Sequence, residues 1–275
     1  MNYKIMAFIP IVIFVVCAVY LFFIIETSQL TLDIDFKGGT QIFATTSKPV
    51  DSNALKTLLA PYNANVRTAT SVSSNAVFID FDASIKTEDV LNTLNKNGYT
   101  FNEYSVQTIG PVLGSSFFQQ ALIVLAFSFV LMAVTVLIMF KNLMPSVFMI
   151  LTVTADLTET VVLMQVIGIK LSLATFAALL LLIGAAVGDN VLFTTKILRS
   201  DQKDYNAIIK RTFKTGMTMF AAVQVAFAAL LIIAASTVIT QIAAISIIGG
   251  TLDVMNSWAL NLGLLMLYVT RKKIK

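Results

Sequence analysis

Residues 171–199 read LSLATFAALLLLIGAAVGDNVLFTTKILR, and this stretch decides the class of fold. Its first twelve residues, 171–182, carry no charge and are mostly apolar on every side of a helix. That pattern is typical of a helix in lipid rather than of a helix on a soluble core. Gly184 and Gly188 follow four residues apart, so they share a helix face that a second helix can approach closely. The stretch therefore predicts a membrane-spanning helix with a close-packing face.

An acidic residue, Asp189, lies inside this apolar stretch. Insertion scales place an aspartate at a helix centre at about +2.5 to +3.5 kcal/mol, so its presence needs a reason. One reason is structural, a neutral and hydrogen-bonded side chain that holds helices together. The other is functional, because acids inside membranes commonly serve proton or ion movement. We favour the functional interpretation and keep the structural one open.

The composition extends the membrane interpretation to most of the chain. Of 275 residues, 57% are hydrophobic and 12% are charged, whereas an ordinary soluble domain carries about 25% charged residues. The net charge of +4 does not indicate nucleic acid, because the basic residues collect at the ends of apolar runs. There is no His, and Cys17 is the only Cys. We therefore expect no internal disulfide and no CxxC metal site. The sequence shows no nucleophile–base pair and no set of metal ligands, so we also expect no metal, no cofactor and no enzyme activity.

We predict an α-helical polytopic membrane protein with six transmembrane helices and one polar domain between the first two. The first apolar run is too long for a secretory signal and has no convincing cleavage site, so we expect it to remain as a membrane helix. The predicted spans are residues 1–25, 116–140, 144–167, 171–195, 212–235 and 242–269.

Residues 26–115 form the one polar region, for which we predict a small α+β domain. Strict alternation in residues 30–36 favours a strand that continues at 40–46. In that strand we expect Asp33 and Asp35 to lie on a solvated face. Further strands are predicted at 66–72, 76–81 and 104–109, with helices at 51–59 and 87–95 and a turn at 73–75. The order βαββαβ is that of a ferredoxin-like domain.

More acids lie in the third and sixth predicted spans. Asp156 and Glu159 are three residues apart in the third span and share a helix face. Asp253 lies near the middle of the sixth span, after Gly249 and Gly250. Two ionised acids in one helix cost about 5 to 7 kcal/mol, and the apolar residues of that helix return about 5 to 10 kcal/mol. Because this balance is marginal, we expect these acids to face the bundle, neutral or paired.

The distribution of basic residues predicts the orientation. Lys4, Lys141, the connection at 196–214 and the basic C-terminal tail fall on one side of the membrane, and Lys170 falls on the other. Short basic loops stay in the cytoplasm, so both termini should be cytoplasmic and the polar domain extracytoplasmic. Arg211 enters the fifth span from the cytoplasmic side. It is either a snorkelling anchor or a partner that stabilises the charged form of nearby acids.

Four short motifs, in order along the chain, resemble the SecF branch of the SecD/SecF family of export membrane proteins, within the resistance–nodulation–division superfamily. Residues 35–40 (DFKGGT) follow the first span and residues 109–114 (IGPVLG) precede the second. Residues 184–189 (GAAVGD) lie in the fourth span and residues 211–216 (RTFKTG) enter the fifth. The motif positions are Asp35, Gly38, Gly39, Thr40, Gly110, Pro111, Gly114, Gly184, Gly188, Asp189, Arg211 and Thr212.

The chain also departs from the bacterial pattern of that family. Ala155 stands where His precedes the third-span aspartate, Asp156, and Gly188 replaces the Asn before Asp189. Residues 253–258 (DVMNSW) look like the archaeal branch instead. The resemblance implies a proton-coupling role for Asp189 and Arg211, with Asp156, Asp253 and Glu159 as further candidates. The departures remove part of the polar lining of the implied proton path.

The resemblance implies an auxiliary subunit of the Sec protein-export translocase in the cell membrane. Its implied partners are a SecD-like membrane protein, the Sec translocation channel and the translocating polypeptide, with no nucleic acid. Twelve helices in two halves are implied for the architecture, and this chain would supply one half. Two alternatives stay open. One is a small-molecule efflux transporter, which usually has larger outer loops, and the other is a passive scaffold subunit.

The orientation is testable with single cysteines. In a Cys17→Ala background, cysteines placed at Ser74 and Asp201 should react with an impermeant thiol reagent from opposite sides of the membrane. The first position lies in the polar domain and the second in the basic connection. Labelling of both positions from the same side would contradict the six-span topology.

Overall fold

The computed structural model describes residues 3–46, 50–70, 75–99, 101, 103–199, 205–234 and 237–274. The labelling positions Ser74 and Asp201 lie outside these residues, as does most of the predicted turn at 73–75. The described helices are α1 (Tyr3–Glu26), α2 (Ile34–Lys37), α3 (Ser52–Leu58), α4 (Thr87–Lys96), α5 (Pro111–Phe140), α6 (Leu143–Ile167), α7 (Leu173–Leu198), α8 (Tyr205–Ile233), α9 (Thr237–Met255) and α10 (Leu262–Ile274). A π-helical turn, Asn256–Asn261, joins α9 to α10.

Six helical segments of the described chain are long and apolar enough to cross a membrane. They are α1, α5, α6, α7, α8 and the continuous run from α9 to α10, which confirms the predicted six spans. The chain is therefore a multi-pass membrane protein. Three starts differ clearly from prediction: α5 begins at Pro111 rather than at 116, α8 begins at Tyr205 rather than at 212, and α9 begins at Thr237 within the predicted turn at 236–241. Polar residues at a span end continue the helix beyond the apolar core, so hydropathy alone misplaces its start.

The polar region contains a four-stranded antiparallel sheet. Its strands are β1 (Gly39–Thr46), β2 (Asn65–Thr70), β3 (Asn75–Phe81) and β4 (Glu103–Ile109), in the spatial order β2-β3-β1-β4. Helix α3 follows β1 and helix α4 follows β3. The apolar side of the sheet packs on both helices through the fully buried Ile42, Leu55, Ile79 and Leu94. The central strands are thus covered by the helices that connect them to the edge strands.

The predicted strand at 30–36 is wrong. Leu32 forms only an isolated bridge with Leu171, and Ile34–Lys37 is the short helix α2. Asp33 caps this helix, since its carboxylate accepts a hydrogen bond of 3.0 Å from the Ile34 N–H. An aspartate that bonds its own backbone neighbours competes with strand pairing, and alternation of apolar residues does not reveal this. Asp33 is 5% exposed, so it does not lie on a solvated face as predicted.

Glycines allow the start of the sheet to touch the start of α5. Gly38 has a positive φ of 78°, and a Cβ placed there would lie 2.7 Å from the Pro111 Cα. A Cβ on Gly114 would lie 2.7 Å from the Gly38 backbone nitrogen. Only residues without a side chain permit this approach of two backbones. The two sequence motifs on either side of the polar domain therefore meet in space.

The turn between α6 and α7 is bonded to the polar domain. Main-chain hydrogen bonds link the Asp33 N–H to the Leu171 carbonyl at 2.7 Å and the Leu171 N–H to the Thr31 carbonyl at 2.9 Å. Asp35 accepts a hydrogen bond of 3.0 Å from the Leu173 N–H at the start of α7. A carboxylate at this position pairs with an otherwise unpaired helix N–H, and its negative charge interacts favourably with the positive end of the helix dipole.

Asp80 lies at the centre of an ion network beside the same turn. Its carboxylate contacts the Lys170 Nζ at 2.7 Å and the Arg67 guanidinium at 2.9 Å, and it accepts a hydrogen bond of 2.6 Å from Gln41. Arg67 also reaches Asp33 at 3.4 Å. Burial alone would raise the pKa of Asp80, but the charges of Arg67 and Lys170 outweigh it and lower that pKa.

Replacing Asp80 should loosen this junction. Removing one partner of a buried ion pair costs about 3 to 5 kcal/mol in the free energy of unfolding. We expect Asp80→Asn to lower the thermal midpoint of the detergent-solubilised chain at pH 7, measured by circular dichroism. The pKa of Asp80 is lower in the folded than in the unfolded chain. The contribution of ionised Asp80 to the free energy of unfolding is therefore present above about pH 4, and it is lost as the pH falls through the folded-state pKa. Acidification should thus destabilise the wild type more than Asp80→Asn.

The matched control is Asp82→Asn. Asp82 follows β3 and is exposed, and its carboxylate accepts a hydrogen bond only from Ser84 among the described residues. Its replacement should leave the midpoint within error of the wild type. Equal effects of Asp80→Asn and Asp82→Asn would contradict the proposed role of the ion network.

Candidate functional site

Two acids of α6 share one amide partner from the last span. Asp156 and Glu159 are 0% and 2% exposed. The Asn256 amide donates to the Asp156 Oδ1 at 2.9 Å and to the Glu159 Oε2 at 2.8 Å. Asp156 and Glu159 share a helix face and point into the bundle, as predicted. Their other oxygens, with the Asn256 Oδ1, are buried and have no hydrogen-bond partner among the described residues.

A third acid, Asp253, extends this cluster from α9. It is 4% exposed, and its Oδ1 accepts a hydrogen bond of 2.9 Å from the Ser257 hydroxyl. The carboxyl groups of Asp253 and Asp156 are close enough for their negative charges to repel each other. Repulsion between two carboxylates in a buried site favours keeping a proton on one of them. The arrangement is therefore suited to holding a proton between α6 and α9.

A π-helical turn places several of these groups. Asn256 and Ser257 open the turn, and Asn261 closes it. One-turn π segments inside α-helices are frequent at functional sites, because the extra residue re-aims side chains. Asn261 donates to the Asn190 Oδ1 at 2.6 Å and reaches the Thr194 hydroxyl at 3.3 Å. The turn thus connects α6 and α7 through two sets of polar contacts.

Asp189 lies on α7 beside a small pocket that it shares with Asp253. Ser257 and Trp258 from the π-helical turn and Thr212 from α8 also line this pocket. Asp189 is half-buried and makes no side-chain hydrogen bond to a described residue. Thr212 is 1% exposed, and its hydroxyl has no partner among the described residues. The pocket thus brings together acids from α7 and α9.

Arg211 does not pair with Asp189 in this structure. The ion pairs among the described residues all lie at the domain junction, and Arg211 is exposed. Its neighbour Thr212 nevertheless lines the Asp189 pocket. The start of α8 therefore lies beside Asp189, but Arg211 itself does not contact Asp189 in the conformation described.

The glycines of the spans divide into two groups. A Cβ on Gly184 or Gly188 would meet nothing within 4 Å, so both positions lie on an open face of α7. A Cβ on Gly249 would lie 2.6 Å from Leu182, and one on Gly250 would lie 3.1 Å from Gln224. Gly249 and Gly250 therefore serve packing within this chain, between α9 and its neighbours.

The remaining motif residues lie at the domain junction rather than near the membrane acids. Burial raises the pKa of Asp35, against the hydrogen bond from Leu173. Gly39 has a positive φ of 139°, and Thr40 is buried with its hydroxyl 3.0 Å from that of Thr108. Gly110 precedes Pro111, the first residue of α5. This part of the sequence pattern is structural, since it fixes the domain to the membrane helices.

No group of three or more His, Cys, Asp or Glu suited to a metal ion is present among the described residues. Sequence reasoning named the acids but missed Asn256 and Ser257 as their partners, and it also missed the contact of Asn261 with Asn190. The available signal was the density of amide and hydroxyl side chains in an apolar span, at residues 253–261. Such side chains in lipid need partners, and the nearest candidates were the acids of other spans.

Comparison with known proteins identifies the family. Residues 89–271 match the family model described as "Protein export membrane protein SecD/SecF, C-terminal". The protein-export membrane protein SecF of Methanocaldococcus jannaschii is 30% identical over 282 residues, covering 100% of this chain and 98% of that protein. The SecF of Methanothermobacter thermautotrophicus is 31% identical, covering 98% of this chain and 93% of that protein.

Solved structures agree with this assignment at the level of the fold. The crystal structure of SecDF from Thermus thermophilus, a translocon-associated membrane protein, superposes with a TM-score of 0.77 at 18% identity. That match covers 98% of this chain but only 38% of the SecDF chain. SecDF in its super-membrane-facing form gives a TM-score of 0.59. From the family match and the full-length relatives, the chain belongs to the SecD/SecF family of protein-export membrane proteins.

Proposed function

We propose that this chain is a SecF-type auxiliary subunit of the Sec translocase, which promotes polypeptide export together with a SecD-like partner. The observation that carries the proposal is the identity of about 30% with proteins named SecF over nearly the whole length of both chains. This role needs no catalytic residues of its own. The translocation channel and the emerging polypeptide are the further partners that it implies.

A SecD-like partner fits the open face of α7. This chain corresponds to 38% of the SecDF chain, so a second chain would supply the remaining part. Leu181, Gly184, Ala185 and Gly188 recur at helical spacing on α7 and are all exposed, whereas 12 of the 26 residues of that helix are buried. Small residues four apart allow two helices to approach closely in lipid. We infer that the partner's helices cover this face.

The polar domain belongs outside the cell in this proposal. Its strand order β2-β3-β1-β4, with all neighbours antiparallel and helices after β1 and β3, is that expected of a ferredoxin-like domain. The predicted domain boundaries, 1–25, 26–115 and 116–275, follow from this placement. The basic connection between α7 and α8 then lies in the cytoplasm with both termini.

Proton coupling is the finer part of the proposal. Asp156, Glu159 and Asp253 are buried together, and their charges cannot all be present in a low-dielectric interior without strong repulsion. Unpartnered oxygens on Asp156 and Glu159 would become donors if protonated. Asp189 adds a carboxyl at the pocket beside Asp253. Protons therefore have a chain of acceptors across α7, α9 and α6.

Arg211 provides a means to switch this site. Thr212 already faces the Asp189 pocket, and adjacent residues on an α-helix are about 100° apart around its axis. Rotation of α8 by one residue position would bring Arg211 toward the pocket. An arginine beside Asp189 stabilises the charged carboxylate, whereas its withdrawal favours the protonated form. The two states would couple proton movement to helix motion.

The proton role is tested with Asp189→Asn. Proteoliposomes that contain the chain, its SecD-like partner and the translocation channel would export a substrate with and without an imposed proton gradient. The amide keeps the shape but carries no exchangeable carboxyl proton, so the gradient-dependent gain in export should disappear. Arg211→Lys should also be a poor substitute if the pairing is bidentate.

Asp189→Glu is the matched control, because it keeps a carboxyl group and should retain part of the gradient-dependent gain. Insertion and folding are checked by elution from a sizing column. If Asp189→Asn supports full gradient-dependent export, the proton role is excluded and the passive scaffold is favoured.

The partner face is tested by two glycine substitutions with different expected results. Gly184→Leu adds a large side chain to the open face of α7, so it should reduce co-purification with the SecD-like partner while the chain alone remains stable. Gly250→Leu would collide with Gln224 on α8, so it should lower the thermal stability of the chain itself. Lys86→Ala, in the polar domain, should change neither property. Unchanged partner binding by Gly184→Leu would contradict the proposed interface.

A further inference from the structure

A cavity of about 410 Å³ lies at one end of the helical bundle, apart from the acid cluster. Its walls come from the last residues of α5 and α7, the first residue of α8, and Tyr268 and Val269 near the end of the last span. Since successive spans alternate in direction, all four of these ends lie on the same side of the membrane. Tyr268 lines the cavity two residues before the last span ends at Thr270. The cavity therefore lies at a boundary between lipid and water.

The lining of this cavity is apolar on one part and polar and basic on another. Met139, Phe140 and Ile197 form part of the apolar wall, and Arg199 supplies a guanidinium group. The Asn142 amide donates to the Tyr268 hydroxyl at 3.3 Å on the polar side. No Asp or Glu occurs among the described residues that line the cavity. The lining is thus complementary to an amphipathic anion.

Arg199 is the charge that this cavity offers. It caps the end of α7, is exposed, and forms no ion pair with a described acid. Lys141 and Lys196 are each flanked in sequence by residues that line the cavity. Basic pockets between membrane helices bind anionic lipid headgroups. Arginine suits a phosphate group because its planar fork donates two parallel hydrogen bonds.

We propose that this cavity binds the headgroup and first chain carbons of an anionic phospholipid, with Arg199 on the phosphate. Its volume lies within the range of about 300 to 1,000 Å³ typical of pockets for small organic ligands. A free phosphate ion would leave the apolar wall without a partner. A lipid places its phosphate at the boundary and its chains against Met139 and Phe140. This site is independent of the proton-coupling role proposed for the acids.

The experiment measures lipid binding to the purified chain by native mass spectrometry. The chain in detergent is titrated with phosphatidylglycerol or with phosphatidylcholine. A third titration uses phosphatidylglycerol in the presence of about 10 mM inorganic phosphate, at which exposed charges are only weakly screened. We expect selective retention of phosphatidylglycerol, reduced about fivefold or more in Arg199→Gln, the effect of about one surface charge on lipid attraction. Arg199→Lys should keep more binding than Arg199→Gln.

Lys4→Gln is the matched control. It removes one positive charge from an exposed residue of α1 that does not line the cavity, so its phosphatidylglycerol binding should equal that of the wild type. If Lys4→Gln lost as much phosphatidylglycerol binding as Arg199→Gln, the effect would be one of general surface charge, and the proposed site would be overturned. Equal binding of the two lipids, or no change in Arg199→Gln, would also overturn it. Full displacement by inorganic phosphate would assign the cavity to the free anion instead. Unchanged elution of each variant from a sizing column establishes that it is folded.

Discussion

Carboxyl groups inside a bilayer must be kept from hydrocarbon, and the arrangement of the helices around Asp156 satisfies that constraint. Each acid of the bundle faces another helix, and the cost of about 2.5 to 3.5 kcal/mol for an exposed acid in lipid is avoided. Asn256 can serve Asp156 and Glu159 together only if α6 lies beside the last span. The π-helical turn supplies this amide without ending the span. The close approach of Gly249 to Leu182 holds α9 against α7. Packing in the bundle is thus closely tied to where the acids can be placed.

The spans were predictable because long uncharged runs have few alternatives. A segment of about 20 apolar residues that satisfies its own backbone in lipid is a helix. The polar domain was harder, since alternation in residues 30–36 fits a strand as well as it fits a capped turn. Asp33 decided between them through a local hydrogen bond to Ile34, and periodicity does not report such bonds. The true first strand begins at Gly39, where the positive φ angles of two glycines end the turn.

The acids of the candidate site could be predicted from the sequence, but the side chains that contact them could not. Spacing placed Asp156 and Glu159 on one face because three residues nearly complete a helical turn. No spacing rule relates them to Asn256, about one hundred residues further along the chain. Gly184 and Gly250 look equivalent in sequence, yet one is open and the other is packed against Gln224. Which face of a span meets its own chain depends on the tilt and order of all the helices, and hydropathy contains neither.

Helix α7 carries Asp189 and is bonded at its first turn to the polar domain, and this has a mechanical consequence. Its first turn is bonded to Asp35 of the polar domain, and the turn before it is bonded to Asp80 through Lys170. Asp189 lies sixteen residues beyond Leu173 on the same helix, about 24 Å away at 1.5 Å per residue. An α-helix transmits axial displacement with little compression, so an axial movement of α7 would be passed on to the domain that is bonded to its first turn. A tilt or slide that begins beside Asp189 would carry the domain with it, without any hinge between them.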